Sequence, residues 1–294
     1  MNTETKKDIR AGFIGLGAMG THMARNVARG HFLSSVWNRT EASAITLSQE
    51  LGVQCAASPA LLAAHVDVIL ICVSADADVL EVIHALLPGL RPQSIVVDMS
   101  TVSSDTAREA ARLVENKGAD FLDAPVTGGV EGAKNGTLAI MVGGKLTTLE
   151  KALPILETMG SRIVHMGEVG AGQAAKAVNQ IMAAGINEAV TEALAFGETL
   201  GLDMRKVIDV VSSGAAGNWF LEKRGPTMTQ GIFKPGFKLA LHQKDLKICK
   251  GMADKLGIKL PVTEMAMNDY AKLIAEGHGD EDISALYRLK RPSP

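Results

Sequence analysis

Lys176 and Asn179 stand three residues apart in Gly172-Gln-Ala-Ala-Lys-Ala-Val-Asn-Gln-Ile-Met-Ala-Ala-Gly-Ile-Asn-Glu-Ala, a stretch that is otherwise mostly small or apolar. Positions i and i+3 share one face of a helix, so an amine and an amide project together. A lysine in such surroundings is costly unless it is paired, solvated in a cleft, or used to move protons. The amine suits general acid–base work on a hydroxyl or carbonyl, and the amide suits orienting the reacting oxygen. The competing reading is a lysine that lays its stem on the surface and sends its head to water.

Two further segments upstream carry chemistry. Gly15, Leu16, Gly17, Ala18, Met19 and Gly20 form a GxGxxG run between an apolar strand pattern and a helix pattern. In that context the first glycine allows a tight turn, the second lets backbone approach a pyrophosphate, and the third permits close helix–strand packing. The helix N-terminus then faces the phosphate charge. Asn38, Arg39 and Thr40 follow the second strand pattern, where an NAD site usually places Asp or Glu. A carboxylate would repel a 2′-phosphate, whereas Arg39 can pair with it and Asn38 and Thr40 can hydrogen-bond it. These residues predict NADP (NADPH) as cofactor, with NAD the weaker alternative. Asp123-Ala-Pro-Val-Thr-Gly-Gly129 is the third piece: the backbone N–H groups of Gly128 and Gly129 and the Thr127 hydroxyl suit a small carboxylate.

The elements that position these groups read as a Rossmann-type α/β domain followed by an all-α domain. Strand patterns fall at Gly12–Gly15, Ser35–Asn38, Val66–Val73, Ser94–Asp98, Asp120–Asp123 and Leu138–Val142. They alternate with helix patterns at Thr21–Ala28, Glu41–Leu51 and from Ser103 or Ser104, which indicates βαβ units and a mostly parallel sheet. Beyond Gly167 only helical patterns recur, at 172–200, 203–213, 217–228, 238–257 and 261–276, with Asp203 as an N-cap and Pro261 in a first turn. The expected division is 1–170, a dinucleotide-binding domain, and 171–294, a substrate and oligomerisation domain that opens with the Lys176 helix at the junction, where clefts commonly form.

Composition narrows the class. A chain of 294 residues, 47% hydrophobic and 21% charged, is long enough for two globular domains. A net charge of −2 gives no general attraction to nucleic acid or an anionic membrane. Cys55, Cys72 and Cys249 are odd in number and scattered, which points to a reducing, cytoplasmic setting. The seven histidines show no ligand spacing, so no metal is expected. Met1–Asp8 is polar and lacks a signal-peptide core, no apolar run reaches the roughly 18–20 residues that span a bilayer, and the tail Arg291–Pro294 is expected to fray.

In order along the chain, Gly12-Phe-Ile-Gly-Leu-Gly-Ala-Met-Gly20, Asp98-Met-Ser-Thr101, Asp123-Ala-Pro-Val-Thr-Gly-Gly129, Gly170-Ala-Gly-Gln-Ala-Ala-Lys-Ala-Val-Asn179 and Lys244-Asp-Leu246 resemble the β-hydroxyacid dehydrogenase family, which includes 3-hydroxyisobutyrate dehydrogenase and tartronate semialdehyde reductase. The resemblance covers nearly the whole chain. It implies that Lys176 is the catalytic lysine and Asn179 its substrate-positioning companion, and that Thr127, Gly128 and Gly129 form the carboxylate turn. It implies that Lys244 lies near cofactor and substrate, with Asp245 its neighbour in the motif. It puts Thr101 beside the nicotinamide, Cys72, Val73 and Ser74 along the cofactor, and Trp219 at the wall of the substrate pocket. The resemblance also implies a homodimer or homotetramer built through the helical domain.

This chain departs from the family pattern at three places. Thr127 stands where many members have Ser, Cys72-Val-Ser74 where many carry Met-Leu-Pro, and Asn38 near where NAD-preferring members have Asp. The reading is an NADP-dependent dehydrogenase or reductase acting on a CH–OH group, between a small β-hydroxyacid and its semialdehyde. The alternatives are an imine reductase or a 6-phosphogluconate-type enzyme of the same scaffold, or a non-catalytic dinucleotide-binding module.

Overall fold

Alternate residues of the same strands feed two separate cores. β1 (Ala11–Ile14) sends Phe13 to one and Ile14 to the other. The computed structural model describes residues 9–291; Met1–Asp8 and the last three residues of the expected fraying tail lie outside the described residues. After β1 come α1 (Gly20–Arg29), β2 (Leu33–Trp37), α2 (Glu41–Leu51), β3 (Gln54–Cys55), α3 (Pro59–His65), β4 (Val68–Ile71), α4 (Asp76–Leu86), β5 (Ile95–Asp98) and α5 (Ser104–Glu115). Leu70 and Val97 join Phe13 under α1 and α2, while Ile69, Ile71 and Val96 join Ile14 under α3, α4 and α5. β1, β4 and β5 are buried along their whole length, which is why they read as continuous apolar runs.

The chain continues through β6 (Asp120–Asp123), β7 (Val126–Thr127), α6 (Gly129–Asn135), β8 (Leu138–Gly144), α7 (Leu146–Leu156) and β9 (Gly160–Gly167). The sheet order is β3-β2-β1-β4-β5-β6-β8-β7, with β9 on β8. Pairing is parallel from β3 to β6 and between β8 and β9, and antiparallel where β8 meets β6 and β7.

The strand expected over Val66–Val73 is shorter, because Val66 ends α3 and ladder pairing to β1 and β5 covers only Val68–Ile71. Sequence patterns missed β3 and β7, two residues each, and β9, whose residues are largely exposed and carry no apolar run. They also missed α3, α4, α6 and α7. α3 does carry its signals, Ser58 accepting from the Leu61 N–H and Pro59 in the first turn.

The chain separates into a compact unit ending at Lys176 and another beginning at Ala177, so the division falls inside α8 (Ala171–Thr199). The second unit is helical: α9 (Met204–Ser212), α10 (Trp219–Met228), α11 (Leu239–Leu256), α12 (Pro261–Ala275), a 3₁₀ turn at Ile283–Leu286 and α13 (Tyr287–Lys290). Asp203 caps α9 through the Arg205 N–H, and Pro261 opens α12. Leu194, Ile208, Phe220, Leu246, Tyr270 and Tyr287 centre its core. Arg291 departs from the expected fraying: its guanidinium grips both oxygens of Glu198, at 2.8 and 2.9 Å. Among the described residues, no helix is long and apolar enough to cross a membrane.

Candidate active site

Strand order reverses between β1 and β4, and in an open parallel sheet the crevice beyond the carboxyl ends of such strands is the ligand position. The Gly15–Gly20 loop leaves β1 there and Cys72–Ser74 leave β4 beside it. Gly15 has φ 94°, and a Cβ on it would collide with the Cys72 carbonyl; one on Gly20 would collide with the Gly15 carbonyl. Internal packing therefore explains these two glycines. It does not explain Gly17, whose Cβ would meet nothing within 4 Å. Bare backbone facing open space is what a closely approaching pyrophosphate needs, and the N-terminus of α1 lies beside it without a side-chain cap, its Thr21 and His22 N–H groups donating to the Gly17 and Met19 carbonyls. The residues present thus fit a dinucleotide.

Asn38, the residue after β2, shapes this loop. Its Oδ1 accepts the Leu16 N–H at 2.9 Å and its Nδ2 donates to the Thr40 carbonyl at 3.0 Å. Arg39 is largely exposed and pairs with Asp78 of α4 at 2.8 Å, with Glu81 at 3.7 Å. On the other side, the Val73 N–H donates to Ser100 Oγ at 2.9 Å, tying the loop after β4 to the loop after β5 that carries Thr101.

Two buried carboxyls lie under these loops as register partners, Asp98 at the end of β5 and Asp123 at the end of β6. Asp98 Oδ1 accepts the Ser100 N–H at 3.0 Å, and Oδ2 has no hydrogen-bond partner. Burial pushes its pKa up to about 7; hydrogen bonds from Ser100 oppose this, and the charges of Asp123 and Asp76 add to it. Asp123 accepts the Gly170 N–H at 2.7 Å and the Gln173 N–H at 2.9 Å. Burial raises it to about 6 against those bonds. Asp123 therefore anchors the first turn of α8, the helix that carries Lys176 and Asn179.

Thr127 ends β7, half-buried opposite Ala139 of β8. The chain then turns through Gly128 at φ 129° and Gly129 at φ 63°, left-handed backbone that favours glycine. The turn's shape, and not only the freedom of its N–H groups, requires the two glycines.

Lys176 is buried, 7% exposed. One turn on, the half-buried Asn179 starts a chain of side chains: its Nδ2 donates to Gln180 Oε1 at 2.7 Å, Gln180 Nε2 donates to Asp245 Oδ2 at 2.6 Å, and Asp245 Oδ1 pairs with Lys244 Nζ at 2.8 Å. The structure thus joins three of the expected site residues, Asn179, Lys244 and Asp245, through Gln180, which sequence reasoning passed over. The signal was present. Gln173, Gln180 and Asn187 recur every seven residues along α8 and each is at most 2% exposed. Trp219 opens α10 away from the core, 55% exposed, with the Arg224 guanidinium 5.2 Å from its ring centre.

A mostly parallel sheet of this strand order, with bare glycine backbone at its reversal point, is a Rossmann-type dinucleotide-binding domain. Residues 10–167 match the family model for the NAD-binding domain of 6-phosphogluconate dehydrogenase, and residues 170–290 match that for the NAD-binding of NADP-dependent 3-hydroxyisobutyrate dehydrogenase. An uncharacterized oxidoreductase of Synechocystis is 38% identical over 94% of this chain and 96% of its own. The 2-hydroxy-3-oxopropionate reductase of Escherichia coli is 38% identical over 95% of this chain and 96% of its own. Among solved structures, the 3-hydroxyisobutyrate dehydrogenase of Mycobacterium tuberculosis with L-serine superposes with a TM-score of 0.89 at 34% identity, over 97% of this chain and 99% of that one. The chain belongs to the β-hydroxyacid dehydrogenase family of 3-hydroxyisobutyrate dehydrogenase and 2-hydroxy-3-oxopropionate reductase type. It is an oxidoreductase that takes a nicotinamide dinucleotide.

Proposed function

We propose that the protein is an NADP-dependent enzyme that interconverts a small β-hydroxyacid and its semialdehyde. The observation that carries the reading is a buried lysine, Lys176, with Asn179 one turn on, along a helix whose start is anchored by Asp123. The bound nicotinamide supplies a hydride to the aldehyde carbon, or accepts one from the alcohol carbon. Lys176 as the ammonium gives its proton to the aldehyde oxygen, leaving a hydroxyl and a neutral amine; in oxidation the neutral amine takes the hydroxyl proton. Asn179 orients that oxygen, held by the chain through Gln180 and Asp245 to Lys244. Thr127, Gly128 and Gly129 bind the substrate carboxylate, and Trp219 shapes the pocket around the rest of the molecule.

Gly15 to Gly20, Cys72–Ser74, Thr101 and Lys244 hold the cofactor. Arg39 selects NADP over NAD by exchanging its exposed pair with Asp78 for the 2′-phosphate, a change that costs little because exposed ion pairs are weak. The family model for NADP-dependent 3-hydroxyisobutyrate dehydrogenase supports the same preference. Residues 1–170 serve the cofactor, and 171–294 serve substrate binding and assembly into a homodimer or homotetramer. The protein works in the cytoplasm on a free small molecule, with neither nucleic acid nor membrane as partner.

The test is NADPH oxidation against short aldehydes with and without a free carboxylate. Turnover confined to the carboxylate-bearing aldehydes is expected. Equal turnover of the neutral ones, or turnover of imines alone, would sink the reading.

A further inference from the structure

Gln173 lies one turn before Lys176 on α8 and is 1% exposed. Its side chain reaches the loop after β5 and bonds the backbone on both sides of Thr101. Gln173 Nε2 donates to the Ser100 carbonyl at 2.8 Å, and Gln173 Oε1 accepts the Val102 N–H at 3.1 Å. The two partners fix the orientation of the amide, because a carbonyl can only accept and an N–H can only donate. The backbone N–H of the same residue is held by Asp123 Oδ2. Asp123 thus pins the helix at Gln173 from β6, and Gln173 pins the β5 loop to the helix. No other side chain among those described bonds both flanks of Thr101.

We propose that Gln173 is a positioning residue, an amide clamp that holds the Ser100–Val102 loop in fixed register with the Lys176 turn of α8. The proposal rests on the proposed function above, with Lys176 moving the proton. Lys176 and Gln173 differ by three positions, so any shift of the loop relative to Gln173 is a shift relative to the amine that moves the proton. Small displacements of reacting groups cost rate far more than they cost binding. Glutamate cannot replace the clamp while ionised, since it keeps the acceptor for Val102 and sets a charge against the Ser100 carbonyl. Once protonated it regains a donor hydroxyl and can bridge both flanks again.

The experiment compares the wild type, Gln173→Glu and Gln173→Met in NADPH-linked turnover of a carboxylate-bearing aldehyde between pH 5 and 9, together with NADPH titration and amide exchange over residues 99–104. At pH 8 both variants should lose on the order of 10- to 100-fold in kcat. KM and NADPH affinity should change little, and exchange at the Val102 amide should accelerate. The ratio of wild-type to Gln173→Glu turnover should then narrow as pH falls through the new carboxyl's pKa, while the Gln173→Met ratio stays flat. The new carboxyl also shifts the titration of the neighbouring Asp98 and Asp123, so the uncharged Gln173→Met variant is the reference for the pH dependence those two groups supply by themselves.

A Gln173→Glu ratio independent of pH, or fast Val102 exchange in Gln173→Met with kcat intact, would reduce the clamp to a structural tie and overturn the proposal alone. An inactive wild type would overturn the proposed NADP-dependent semialdehyde chemistry, and the proposal with it.

Discussion

Gln180 Nε2 lies 2.6 Å from Asp245 Oδ2, and through this buried contact α8 and α11 share one polar chain that runs from Asn179 to Lys244. Gln180 and Asp245 are at most 4% exposed, so neither can exchange its partner for water. Removing Asp245 would leave the buried Gln180 amide without the acceptor of its Nε2 donor.

A double-mutant cycle over Gln180→Ala and Asp245→Ala should therefore be strongly non-additive. The coupling free energy in denaturant unfolding is expected at about 0.5–3 kcal/mol, the range for residues in one hydrogen-bonded network. Additive losses would mean that the contact is incidental.

The strands that position the cofactor loop were legible because they are buried on both faces, and so is the helix that carries Lys176, because apolar and polar residues alternate along it at helical spacing. β9 and the short strands β3 and β7 were not, since two residues carry no period and an exposed edge strand needs no apolar run. The glycine loop was readable as a cofactor cradle, but only the three-dimensional structure separates Gly17, whose backbone faces open space, from Gly15 and Gly20, where a neighbouring carbonyl fills the space. Lys176, Asn179 and Thr127 stand out by residue type and spacing, and Lys244 only through the family resemblance. Gln173, Gln180, Ser100 and Asp98 do not, because their roles come from partners 27 to 73 positions away in sequence or from burial itself.

Arg39→Asp should reverse the cofactor ratio. Loss of a charge-assisted contact to the 2′-phosphate costs about 1.5–3 kcal/mol, roughly 10- to 150-fold in NADPH affinity, and repulsion from Asp78 and the new carboxylate adds to it. NADH should bind equally well or better. Titration of both cofactors into both proteins checks this; an unchanged NADPH-to-NADH ratio removes Arg39 from cofactor selection.

Thr127→Ala should raise KM for acidic substrates by the worth of one hydrogen bond to a charged group, about 1.5–3 kcal/mol. With a neutral aldehyde the two proteins should behave alike. An equal loss on the neutral substrate would show that Thr127 does not hold the carboxylate.

Asp98 and Asp123 predict a stability that falls as pH rises. Their pKa values stand at about 7 and about 6 in the folded protein, against 3.8 for the ordinary carboxyl. Between those limits the folded chain holds more protons than the unfolded chain, so these groups stabilise fully below pH 3.8 and lose that contribution as pH climbs through 6 and 7. Asp98→Asn keeps an acceptor for the Ser100 N–H and cannot ionise. Its unfolding free energy should show a shallower decline with pH than the wild type over this window, by at most about 1.4 kcal/mol per pH unit. Parallel curves for the two proteins would contradict the assignment.

The most direct test of the central claim is the turnover number of Lys176→Ala with NADPH and a carboxylate-bearing aldehyde. Loss of the general acid should lower kcat by about 10²–10⁴, with NADPH affinity unchanged. Turnover within a few-fold of the wild type would contradict the account, because the buried amine would then have no part in moving the proton.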